Sequence, residues 1–140
     1  MPLTEDQLNL IRHSFDVLRR DLESPSVYFY EDLFTRAPEL RPLFRDDLAG
    51  QGMRFMSTLA VIVDNLHKPE ALAERYADLG RIHARLGVTA AQFPPMGEAL
   101  IATIRNTLGD RFTADIEAAW RVAYADFSRE LIESGGIPEN

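Results

Sequence analysis

The sequence predicts an all-α fold in one domain, and three observations support that prediction. Apolar residues recur at spacings of three and four along most of the chain, Pro and Gly punctuate the periodic blocks, and Thr, Ser and Gln stand where helices would start. No internal repeat, low-complexity run or long linker interrupts the pattern. At 140 residues the chain has the size of one domain. A chain of that size buries roughly 70% of its unfolded surface, enough for a single core with room for a bound group.

Each element has its own signal. Thr4 with Gln7 reads as a capping box, and Leu8, Ile11, Phe15, Leu18 and Leu22 follow at helical spacing. Ser24 as cap and Pro25 at the first helical position open a second helix, whose Val27, Tyr30, Leu33 and Phe34 run to a stop at Pro38. From Pro38 to Phe44 the chain is too short and proline-bound for a full helix, so one tight turn is expected, then a polar corner from Arg45 to Gly50. A third helix, Gln51 to Leu66, is apolar on much of its circumference, with Met53, Phe55, Met56, Leu59, Ile62 and Val63, and must be covered on more than one side. Lys68-Pro69 opens a fourth, through Leu72, Tyr76 and Leu79 to His83, and Gly87 closes it. Thr89 with Gln92 is a second capping box, starting a fifth helix with Phe93, Met96, Leu100, Ile104 and Leu108. After Gly109-Asp110, Thr113 caps a sixth with Ile116, Trp120, Ala123, Tyr124, Phe127 and Leu131, ending at Gly135-Gly136. The expected domain spans 1–140, with 136–140 as a flexible tail.

Charge and composition narrow the function. With 22 acidic against 15 basic residues the net charge is -7, a field that repels phosphate and argues against nucleic acid. The absence of cysteine excludes disulfides, thiolate metal sites and cysteine nucleophiles. The acidic N-terminus lacks the features of a signal peptide, and no apolar run approaches a membrane span, so a cytoplasmic protein is expected. Phosphate loops, nucleophile elbows, HExxH and EF-hand spacings are missing. Asp46-Asp47 reads as a charged corner, and of the three histidines His13 and His67 read as surface residues.

His83 stands apart. Leu79 and Gly80, one turn before it, share its face, and the glycine leaves that face open to a bulky flat partner. Ile82, Leu86 and Val88 flank it, and Arg81 and Arg85 bracket it as partners for anionic groups. Spacing alone leaves two readings open, a cofactor ligand and a histidine favoured by the helix dipole.

Read together, distant stretches are similar to one family. Tyr28 to Phe34 with Ala37 to Phe44, then Gln51-Gly52-Met53-Arg54-Phe55, Leu79 to Val88, Phe93 to Leu100 and Trp120 to Phe127 resemble, in order, the bacterial single-domain globins and the globin half of flavohaemoglobins. The resemblance implies a three-over-three helical sandwich around a b-type haem. It makes His83 the proximal iron ligand, its other ring nitrogen donating to a carbonyl one turn earlier, Leu79 being the candidate. Phe44 matches the phenylalanine that wedges the haem, and Tyr30 and Gln51 the distal polar pair. Phe55, Leu59, Val88, Phe93, Met96 and Leu100 are expected to line the apolar pocket, with Arg54 and Arg81 or Arg85 at the propionates. Phe55 is larger than the aliphatic residue often found at its position and is expected to crowd the ligand space or a gas path.

The expected function is reversible O2 binding for storage, transport or scavenging, with NO and CO as further ligands. A nitric oxide dioxygenase served by a separate reductase, a gas sensor and a haem-free helical module are the alternatives, in a monomer or a homodimer. Two departures favour binding. The chain shows no flavin or nicotinamide module, and the proximal Tyr and Glu pair of flavohaemoglobins is replaced by Phe93 and by Gly135, with Glu133 two residues off register.

Overall fold

The computed structural model describes residues 3–44 and 48–139, which form six α-helices and three short 3-10 turns and contain no strand. α1 (Glu5–Leu18) starts at its capping box: the Thr4 hydroxyl accepts from the Gln7 amide at 3.1 Å, and the Thr4 amide donates to Gln7 Oε1 at 3.0 Å. α2 (Glu23–Arg36) opens differently from the expectation. Its cap is not Ser24, because the Asp21 carboxylate has two oxygens within reach and accepts from both the Glu23 amide and the Ser24 hydroxyl, each at 3.1 Å. The tight turn is a 3-10 helix, Pro38–Leu43. α3 (Leu48–Asp64) starts ahead of Gln51 and so holds Gln51 in its first turns. Arg45, Asp46 and Asp47 lie outside the described residues.

α4 (Pro69–Arg85), α5 (Phe93–Leu108) and α6 (Ala114–Gly135) fall where proline, the second capping box and Thr113 put them. The Thr89 and Gln92 box first closes a 3-10 turn, Ala90–Gln92, which runs into α5. Gly87 follows α4 at φ +88°, a left-handed backbone that costs glycine nothing and any other residue strain.

Two layers of three result, α1, α3 and α4 over α2, α5 and α6. The fully buried Trp120 centres the core; its indole N–H donates at 2.9 Å to Ser14 Oγ, which in turn donates to Leu10 O at 2.7 Å, so the deepest polar atoms of α1 and α6 satisfy one another. α4 rests on α6, and α3 rests on α2 and α1. Among the described residues the consecutive helices α3 and α4 make no substantial contact with each other.

α4 meets α6 at a pair of glycines. A Cβ on Gly80 would fall on the Leu131 carbonyl oxygen and 2.8 Å from Gly135 Cα, and one on Gly135 would run into the Gly80 backbone. Gly80 therefore does not serve as clearance for a flat partner. It lies roughly 60° round the helix from His83 and is spent on backbone contact with α6 instead.

Residues 136–139 lie against the 3-10 turn that leads into α5. Ile137 is 6% exposed and belongs to the core, while the Pro138 and Glu139 carbonyls accept from the Ala90 and Ala91 amides at 2.8 and 3.3 Å. A single apolar residue after a helix-ending glycine has no periodicity to announce it. Ile137→Ala is expected to cost about 2 kcal/mol or more, as buried Ile truncations do. Urea unfolding measures that cost, and amide exchange at Ala90 and Ala91 should accelerate with it.

Candidate functional site

The side that carries His83 is built by α4 and the start of α5. His83 Nδ1 lies 2.7 Å from the Leu79 carbonyl oxygen one turn earlier, the partner expected for it. A carbonyl only accepts, so Nδ1 is the donor and Nε2 is the ring nitrogen left for another partner. Val88 and Phe93 are buried and Leu79 half-buried, and the Phe93 ring stands 6.2 Å from the imidazole. Ile82 and Leu86, by contrast, are exposed. Backbone bonds from Val88 to His83 O at 3.1 Å and from Gly87 to Ala84 O at 3.1 Å wind the chain tightly off the end of α4.

α2, α3 and the 3-10 turn build the side that carries Tyr30, Phe44 and Gln51. Tyr30 is 6% exposed, and burial pushes its hydroxyl up to about 12, against a smaller opposing pull from the Arg54 guanidinium. It is therefore a neutral O–H donor at ordinary pH. Gln51 Oε1 is buried without a hydrogen-bond partner among the described residues. An orphaned buried acceptor of this kind costs about 1–3 kcal/mol unless a donor reaches it. Phe44, half-buried, sits edge-on to Tyr30 at 5.1 Å and to Phe34 at 5.5 Å. Arg41 holds it by donating to the Phe44 carbonyl at 2.6 Å while its guanidinium covers Phe34 at 5.5 Å. Gly52 lets α3 approach Tyr30 closely, since a Cβ there would lie 2.7 Å from Ser26 Cβ and 3.1 Å from the Tyr30 ring.

Of the residues expected to line a pocket, Tyr30, Leu59, Val88, Phe93 and Leu100 share one buried cluster, with Phe44, Phe55, Leu79 and Met96 packed against it. Arg54, Arg81 and Arg85 are exposed, and Arg81 pairs with Asp78 on the preceding turn. His13 and His67 are at the surface as expected, His67 meeting Arg12 at 2.8 Å. No group of side chains suited to a metal ion occurs elsewhere among the described residues. The sequence reading passes over Phe29 and Arg41. Phe29 lies inside the aromatic segment already noted, but its partner is on another helix, and Arg41 reads as a surface charge until its carbonyl acceptor is seen.

The globin family model matches residues 27–131. The chain is a globin. It is 30% identical over 129 residues to the flavohemoprotein of Rhizobium meliloti (strain 1021), a match covering 90% of this globin and 32% of that protein. It is 28% identical over 138 residues to the leghemoglobin of Psophocarpus tetragonolobus, covering 91% and 94%. The globin thus spans less than a third of the flavohemoprotein's length and nearly all of the leghemoglobin's. The crystal structure of a hexacoordinated heme protein from an anhydrobiotic tardigrade superposes with a TM-score of 0.87 at 20% identity over 96% of both chains, which supports the fold. No helix among the described residues is long and apolar enough to cross a membrane.

Proposed function

We propose that this globin holds haem b with His83 on the iron and binds O2 reversibly, in storage, transport or scavenging. The observation that carries the reading is the His83 Nδ1–H bond to Leu79 O, which orients the ring and leaves Nε2 as the nitrogen available to the iron. The residues present fit the group: an apolar cluster between two helices that do not pack on each other, and a buried Gln51 carbonyl oxygen with no partner among the described residues, which marks a polar end of that side chain at the site. Haem supplies an iron position at which O2 coordinates reversibly.

The chain's own residues do the rest. Tyr30 offers an O–H and the Gln51 amide an N–H to a ligand that carries partial negative charge. Each such bond contributes roughly 1.5 kcal/mol, and about 1.4 kcal/mol is tenfold in an equilibrium constant. Leu59, Val88, Phe93, Met96 and Leu100 exclude water, and Phe44, held by Arg41, wedges the group in place. Because Arg81 is shared with Asp78, Arg54 and Arg85 are the better propionate partners.

The proximal side favours binding over nitric oxide turnover. His83 Nδ1 meets a neutral carbonyl, and Gly135 stands in close contact with Gly80, where a glutamate could not be fitted. Tyr124, whose ionisation burial pushes well above the ordinary tyrosine value, spends its hydroxyl on the Phe93 carbonyl at 2.7 Å. None of these groups strengthens the imidazole as a donor in the way a carboxylate would.

Absorption spectra of the ferric, dithionite-reduced, O2-bound and CO-bound forms test the reading. Tyr30→Phe and Gln51→Leu should each speed O2 dissociation about tenfold. Unchanged rates would remove both residues from the distal role, and nitrate formed over many turnovers with a partner reductase would reassign the protein as a dioxygenase.

A further inference from the structure

We propose that Phe29 controls ligand access to the site by holding the Phe55 ring aside, so that the two rings form an aromatic gate; the inference rests on the haem reading above. Phe55 lies one helical turn after Gln51 on α3 and so shares the face that carries the orphaned amide. Its ring stacks on Phe29 of α2 with centroids 4.5 Å apart and planes 18° apart. Phe29 is 3% exposed and meets the Tyr30 ring edge-on at 5.3 Å. It is the fixed member, gripped on two sides, whereas Phe55 is only partly buried and is the ring able to turn about its side-chain bonds.

The consequence follows from size. Parked on Phe29, the Phe55 ring leaves the space beside Tyr30 and Gln51 to a diatomic ligand. Released from the stack, the ring turns towards that space and crowds it. An offset stack is weak enough to open thermally and strong enough to bias the ring's position. The close approach of α3 to α2 at Gly52 keeps the two rings at stacking distance, because neither helix can draw away without losing its contact at Ser26.

A double-mutant cycle on CO association by flash photolysis tests this with four haem-loaded proteins: wild type, Phe29→Leu, Phe55→Leu and the double variant. Phe29→Leu should slow association about two- to tenfold, the span that one aromatic stack is worth. In the Phe55→Leu background the same substitution should change the rate by less than about twofold, since no ring is left to release. Phe29→Met, which nearly conserves volume but ends the ring stack, carries the test if the Leu variant unfolds: slowed CO association there supports the gate, and a wild-type rate overturns it. An unchanged rate in Phe29→Leu, or an equal slowing in both backgrounds, would overturn the proposal while leaving the haem reading intact. A wild-type protein without a Soret band would instead overturn the haem reading, and the gate with it. In the haem-free protein the same ring-to-ring contacts are expected by NMR, and their absence would also refute the stack.

Discussion

His83→Ala is expected to lose the Soret band almost completely when produced with ample haem supply, and added imidazole should restore part of it. The helix dipole and the Leu79 carbonyl orient the native ring without touching the Nε2 lone pair, so the substitution removes the ligand and leaves its surroundings standing. The vacated volume is that of an imidazole, beside Phe93 and within a helix whose cap at Leu86 and Gly87 does not depend on the side chain. Loss even of a ligand's supporting partner commonly costs about ten- to a hundredfold in affinity, roughly 1.4–3 kcal/mol, and loss of the ligand itself should cost at least as much. Circular dichroism should show the helices retained, which separates ligand loss from unfolding. A His83→Ala protein that keeps a native Soret band would place the iron ligand elsewhere, and with only His13 and His67 remaining, both exposed, the proximal assignment would fall.

What the sequence discloses and what it hides divide along a physical line. Both capping boxes and the Gly87 stop are readable because each joins residues close in sequence, where spacing determines contact, while the His83 to Leu79 bond follows from the family resemblance. The grouping of Tyr30, Phe44 and Phe93 in one cluster follows from the family resemblance. Contacts between helices stay hidden. Nothing near Phe55 announces that Phe29 is its partner, nothing near Ile137 announces that it packs in the core, and the Asp21 carboxylate takes the first amide of α2 from two residues away, ahead of Ser24. Gly80 shows the error in its simplest form: a glycine on the histidine's side of a helix reads as room for a cofactor, whereas the room is already taken by α6.

Gly135→Ala gives that contact a sign as well as a size. At an ordinary helical position, replacing glycine with alanine stabilises a protein by about 0.4–1 kcal/mol, because the unfolded chain loses freedom. At Gly135 the added methyl would meet the Cα, carbonyl carbon and oxygen of Gly80, all backbone atoms that no side-chain rotation can move. The helices must separate instead, and overpacking of that kind costs about 1–3 kcal/mol or more. Gly80→Ala should do the same from the other side, meeting the Leu131 carbonyl and Gly135. Because the two methyls demand the same separation, the double variant should cost less than the sum of the singles. Gly80 lies three residues before His83, so the displacement should reach the proximal ligand and shift the iron–histidine stretching band of the reduced protein. Urea unfolding decides the matter. If either substitution proves neutral or stabilising, α4 and α6 do not touch backbone to backbone, and the physical reason given for the missing proximal glutamate fails with them.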